Sequence, residues 1–130
     1  MEINLWVVLA LLALHFIADF ILQTDWMATN KWKDPDALLS HVFIYTLCFF
    51  VFTGIVSIVT GAALIWLYPF IVGALHYFTD KYTSRWTHRL WEEWTHRLWE
   101  EKKVHWFFVV IGFDQLLHFI QILLLFKLLS

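Results

Sequence analysis

Residues 37–60 read ALLSHVFIYTLCFFVFTGIVSIVT and contain no Asp, Glu, Lys or Arg. About 20 apolar residues suffice to cross a bilayer as a helix, so this run predicts a membrane-crossing helix and sets the class of the whole chain. Working outward, residues 4–23, 62–81 and 104–129 form three further apolar runs. The composition agrees: 130 residues are 61% hydrophobic and 15% charged, against roughly 45–50% and about 25% in a soluble domain. A solvated globule is excluded. The expectation is one integral-membrane domain over residues 1–130, all-α, built as a four-transmembrane-helix bundle in contact with the lipid bilayer. Nine Lys+Arg against eleven Asp+Glu leave a net charge of -2, so no basic excess points to nucleic acid as a partner. The single cysteine, Cys48, has no disulfide partner and reads as a small apolar residue.

Between the first two runs, TDWMATNKWKDPD at 24–36 reads as an aqueous loop, with Pro35 as a helix breaker. Gly61 marks a tight turn between the second and third runs, and Pro69 is expected to kink the third. The first run lacks the positive flank of a cleavable signal peptide, so it is expected to remain as a span. Lys31 and Lys33 lie in the first loop, and Lys81, Arg85, Arg89, Arg97, Lys102 and Lys103 in the last, which together hold eight of the nine cations. Cations of short loops stay cytoplasmic. The expected location is therefore the inner (cytoplasmic) membrane, multi-pass, with both charged loops cytoplasmic and the termini outside; Lys127 snorkels.

Residues 86–93 read WTHRLWEE, and residues 94–101 repeat them without a change. At about 100° per residue, Trp86, Leu90, Trp91, Trp94 and Leu98 share one broad face, with Arg85, His88, Arg89, Glu92, His96 and Glu100 opposite. The i,i+4 pairs His88/Glu92, Arg89/Glu93, His96/Glu100 and Arg97/Glu101 support a helix. An amphipathic helix over about 84–102 is expected in the headgroup layer between spans three and four.

The residues that carry chemistry are polar ones inside the spans. His15/Asp19, His76/Asp80 and Asp114/His118 are each i,i+4, a spacing that puts both side chains on one helix face. His41 opens the second run, and Gln115 adjoins Asp114. An ionisable residue inside a span costs about 2.5–3.5 kcal/mol on insertion scales, so such residues face the bundle interior and mark working sites. At about 1.5 Å per residue, all these groups fall in the cytoplasmic half, with Asp114 and His118 deepest. Neutral imidazole and ionised carboxylate are the ordinary ligands of zinc- or iron-type ions. The candidate ligands are His15, Asp19, His41, His76, Asp80, Asp114 and His118, holding one or two divalent transition-metal ions, zinc first among them. Some Asp residues could instead orient His rings. Asp19, Asp80 and Asp114 are the candidate catalytic carboxylates. Gln23, Asp25, Asn30 and Lys31 lie just beyond span one, where they could close the mouth of the site, although solvated loop residues are the leading expectation for each. No H-E-x-x-H motif is present. A metal with an open position activates water, which makes a membrane hydrolase the natural enzyme hypothesis. A proton or ion pathway and a structural polar network both use the same residue types.

Taken in order, HFIADFILQTDWMATNK at 15–31, LLSH ending at His41, HYFTDK at 76–81 and FDQLLH at 113–118 resemble the small bacterial and phage membrane proteins grouped as domain of unknown function 3307. The resemblance covers nearly the whole chain. It implies a small polytopic membrane domain with recurrent polar positions at His15, Asp19, Gln23, His41, His76, Asp80, Asp114, Gln115 and His118, and it supplies no activity. More loosely, the His/Asp pattern is similar to that of membrane-bound metal-dependent hydrolases of the phage-linked inner-membrane type. The tandem WTHRLWEE lies between the family's motifs. The leading expectation is a metal-dependent hydrolase of a lipid or membrane-associated substrate, with oligomers allowed. The alternatives are an ion, proton or small-molecule transporter and a non-catalytic membrane scaffold.

Overall fold

The computed structural model describes residues 4–61, 64–96 and 104–130. Every regular element among them is helical: α1 (Leu5–Phe16), a π-helical turn (Ile17–Ile21), α2 (Asp25–Asn30), α3 (Pro35–Thr60), a 3-10 turn (Leu64–Leu67), α4 (Tyr68–His96) and α5 (Val104–Leu129). No strand occurs among the described residues, so the all-α expectation holds. The helices Pro35–Thr60 and His105–Leu129 are long and apolar enough to cross a membrane, whereas the apolar stretch Leu5–Ile21 is shorter.

Local chemistry places the helix ends. Asn4 caps α1 by accepting from Val7 N, and Thr24 caps α2 by accepting from Met27 N. The segment expected to be a plain loop thus contains a short helix, anchored by buried Met27. Pro35 begins α3 at its first turn behind the Asp34 cap instead of breaking a helix, because a first-turn proline lacks only an N–H that has no intrahelical partner anyway. Pro69 does the same as the second residue of α4, so it starts that helix and does not kink the run. Gly61 ends α3 in the left-handed region at φ 71°, which makes the expected turn.

The structure differs from the sequence reading in α4. The expected third span and the expected interfacial helix are one uninterrupted helix as far as His96. No Gly or Pro occurs between Gly73 and His96, and Thr79 and Thr87 return their hydroxyls to the carbonyls of Leu75 and Thr83, four residues earlier. Nothing there ends a helix. Residues 97–103 and the side chains of the second repeat copy, including the His96/Glu100 and Arg97/Glu101 pairs, lie outside the described residues.

α4 packs along both α3 and α5, and α1 closes the group by touching α3 and α5. Toward the chain termini the interior is apolar, with Leu11, Phe49, Ile65, Tyr68, Ile122 and Phe126 buried in one cluster. Tyr68 donates its hydroxyl to the Ile122 carbonyl at 3.0 Å. Toward the other end the same interior becomes polar. His15, Asp19, His41, His76, Asp80 and His118 are all buried there.

Candidate metal centre

Each element contributes by presenting one face inward. α3 brings His41 and, one turn on, Tyr45; α4 brings His76, Asp80 and Thr83; α5 brings Asp114, Gln115 and His118. Asp19 stands in the π-helical turn, where Leu22 N reaches back five residues to the Ile17 carbonyl at 2.9 Å. Such turns are frequent at functional sites. Asp19 there lies nearer His41 of α3, at 3.0 Å, than its sequence mate His15, at 3.7 Å.

Four ligand atoms converge. His41 Nε2 is 3.0 Å from Asp19 Oδ1, 3.2 Å from Asp80 Oδ2 and 3.0 Å from His76 Nε2. His76 Nε2 is 3.5 Å from Asp19 Oδ1 and 3.6 Å from Asp80 Oδ2. Ligand–metal distances of about 2.0–2.1 Å in a tetrahedron imply ligand–ligand edges of about 3.3–3.4 Å. Five of the six edges, from 3.0 to 3.6 Å, straddle that value, and all four atoms lie within 4.8 Å of one another. Asp19, His41, His76 and Asp80 therefore could hold a metal ion.

The protons around the centre fall into place from their partners. Gln115 Oε1 accepts from His15 Nε2 at 2.9 Å, which leaves His15 Nδ1 to take the Tyr45 hydroxyl proton at 2.9 Å. His118 Nε2 faces two acceptors, Asp80 Oδ1 at 3.2 Å and Asp114 Oδ1 at 3.3 Å, and so carries its proton there. With neutral rings, His118 Nδ1 then accepts from His76 Nδ1 at 3.2 Å. That leaves a lone pair on His76 Nε2, directed at two carboxylate oxygens and a second imidazole nitrogen. Acceptors meeting at such distances need a donor or a cation between them, which a proton on His41 Nε2 at 3.0 Å from Asp19 Oδ1, the Lys31 ammonium at 2.7 Å from Asp80 Oδ2, or a metal ion supplies.

The seven candidate ligands are thus sorted by the fold. Four form the tetrahedron. His118 and Asp114 adjoin it, and with Asp19 they make a second group that could hold an ion. His15 stands apart, with both ring nitrogens engaged by Tyr45 and Gln115. Gln115 Nε2 donates toward Asp114 Oδ2 at 3.1 Å and Asp19 Oδ2 at 3.3 Å, so His15 acts on the centre through Gln115. Thr83 also donates to Asp114, at 2.7 Å.

Lys31 is a correction. Expected to be solvated, it lies 16% exposed with Nζ 2.7 Å from Asp80 Oδ2. Burial pulls its pKa down, but the charges of Asp80 and then Asp19 outweigh that and raise it, so the ammonium is held charged. Tyr45 was not singled out in the sequence at all, although it sits four residues after His41 and hence on the same helix face. It stacks on His76 and bonds His15. Asp25 and Asn30 stay on α2, where their polar contacts are local. Gln23 lines a cavity of about 550 Å³ that opens over the centre, whose floor includes Asp19, Asp80, Asp114 and Gln115.

No curated protein and no solved structure matches the chain. A family model described as protein of unknown function (DUF3307) matches residues 7–130, and the chain belongs to that family.

Proposed function

We propose that this chain is a four-crossing protein of the inner membrane whose buried His/Asp centre binds a divalent transition metal and acts as a metal-dependent hydrolase of a lipid or membrane-associated substrate. The observation that carries the reading is the tetrahedral grouping of His41, His76, Asp19 and Asp80, with five of its six edges at 3.0 to 3.6 Å. Two nitrogens and two oxygens in that geometry suit zinc. Its inside-out polarity supports a membrane setting. Asp19, Asp80 and the histidines are buried, while Phe43, Leu47, Ile55, Ile58, Leu116 and Leu124 are exposed.

A bound ion would supply Lewis acidity and lower the pKa of water. The chain's own groups define how a substrate approaches. Asp19, Asp80 and Asp114 line the cavity side, and His41 and His76 are not among its lining residues. Asp114 is held by Thr83 and Gln115 beside the tetrahedron, which suits it as general base. Lys31 and the third carboxylate balance charge around the site.

Metal analysis tests the proposal. Protein purified without chelator is expected to contain one transition-metal ion per chain, lost in the His41→Ala/His76→Ala double variant. A chain that holds no metal and takes up none on addition overturns it.

A second reading, a proton relay, draws on the bonded series His41, His76, His118, Asp80 and Lys31. The buried apolar cluster of Leu11, Phe49, Tyr68, Ile122 and Phe126 closes that series on the terminal side, which favours the hydrolase. The relay predicts proton flux in proteoliposomes that disappears in Asp80→Asn.

A further inference from the structure

The cavity over the centre has features that the metal reading does not use. Its volume, about 550 Å³, lies within the roughly 300–1,000 Å³ of small-molecule sites. One wall is apolar, with Phe20 from the π-helical turn and Phe107 and Ile111 from α5. Another part of the rim is held together by side-chain contacts. Trp32 stacks on His88 of α4 with ring centroids 3.5 Å apart, and Arg85 Nε donates to the Trp32 carbonyl at 3.2 Å. Lys33 Nζ sits over the Trp32 ring at 5.5 Å and also lines the cavity.

Two polar atoms on the cavity lining, Gln23 Oε1 and Ser84 Oγ, are buried and have no hydrogen-bond partner among the described residues. Buried polar groups are nearly always paired, and because both residues line the cavity, rotation of either side chain toward it lets a ligand supply the partner. Charge gives its sign. Asp19, Asp80 and Asp114 face Lys31 and Lys33 around the same space, and a divalent ion in the tetrahedron would leave one positive charge over.

We propose that this cavity binds the headgroup of a phosphodiester lipid. The single negative charge of the phosphodiester meets Lys33 and the metal centre, the headgroup hydroxyls and phosphate oxygens meet Gln23 and Ser84, and the chains leave along Phe20, Phe107 and Ile111. The inference rests on the metal reading for its charge balance.

Native mass spectrometry tests both in one spectrum, because metal and lipid add distinct masses. The probes are dihexanoyl phosphatidylglycerol, uncharged dihexanoylglycerol and the chain-free glycerophosphodiester. The full chain is expected to carry one phosphatidylglycerol, with at least tenfold lower occupancy for either other probe. Lys33→Gln and the cavity-filling Ser84→Leu are each expected to lower lipid occupancy about tenfold while metal occupancy stays at the wild-type level, since neither residue touches the tetrahedron. Metal present with equal binding of the charged and uncharged lipids, with the chain-free compound binding as well as the lipid, or with wild-type lipid occupancy in both variants, overturns the lipid proposal alone. Selective lipid binding without metal overturns the metal reading and keeps the cavity assignment. Absence of both overturns both.

Discussion

The Tyr45 and His76 rings lie face to face, with centroids 3.7 Å apart and planes 8° from parallel. This stack, across α3 and α4, fixes the plane in which His76 directs Nε2 at Asp19 and Asp80. The same tyrosine gives its hydroxyl to His15 at 2.9 Å. One buried side chain thus orients a histidine of the candidate metal group with its ring and a supporting histidine with its oxygen.

The two roles separate by substitution. Tyr45→Phe keeps the stack and leaves His15 Nδ1 unpaired, which is expected to cost about 1–3 kcal/mol with metal content unchanged. Tyr45→Leu removes the ring as well and is expected to weaken metal binding by about 10–100-fold, the effect of losing an outer-shell support. Thermal unfolding in detergent and metal titration check the pair; equal metal affinity in both variants would refute the orienting role.

Asp114 lies outside the tetrahedron but lines the cavity. Asp114→Asn is therefore expected to keep one metal per chain and to lose hydrolytic turnover of a phosphodiester lipid by about 10²-fold or more, the contribution of a general base. Asp80→Asn is expected to lose the metal itself. Metal content measured beside turnover distinguishes the two carboxylates, and loss of metal in both variants would contradict the assignment.

Lys31 holds the Asp80 oxygen that also forms a corner of the tetrahedron. Removing one partner of a buried ion pair costs about 3–5 kcal/mol, and the 16% exposure of Lys31 places Lys31→Met near the lower end. A divalent ion supplies the missing positive charge. Added zinc is thus expected to raise the melting temperature of Lys31→Met by more than that of the wild type; an equal or smaller rise would show that the lysine and the ion do not share Asp80.

α3 and α4 pack closely where Gly73 faces Thr46. A Cβ at Gly73 would collide with the Thr46 hydroxyl. Gly73→Ala is expected to destabilise the chain by about 1–3 kcal/mol through overpacking, with metal affinity reduced because His76 lies one turn further on. Adding Thr46→Ala to Gly73→Ala opens the space, and the double variant is expected to recover part of the loss. Thermal unfolding of the four proteins in a double-mutant cycle measures the coupling; additive effects would exclude the clash.

How far the site could be read in advance depends on the helix. Because i,i+4 residues share a face whatever surrounds them, the pairs His15/Asp19, His76/Asp80 and Asp114/His118 mark inward faces from spacing alone. Close contacts nevertheless join different elements: His41 with Asp19 at 3.0 Å and Lys31 with Asp80 at 2.7 Å. In the sequence Lys31 is one of four residues that could close the mouth of the site, but its neighbours look like any charged loop, and only the packing of the segment after α2 against α4 brings it inward. The prolines differ from expectation for a related reason. Pro35 and Pro69 disrupt a helix interior but fit a first turn, and at Pro69, within a continuous apolar run, the sequence does not mark where a helix begins.

The apolar runs, the inward-facing polar spacing and the left-handed turn at Gly61 are local properties, set by hydrophobicity, helical periodicity and backbone sterics, and the sequence by itself determined them. Which four atoms meet was decided only by tertiary structure. A distance of 3 Å between His41 and His76, thirty-five residues apart, depends on the register of two packed helices and on the extra residue in the turn that carries Asp19. Packing, which no local pattern encodes, selected Asp19, His41, His76 and Asp80 from seven candidates and set His15 to hold Gln115.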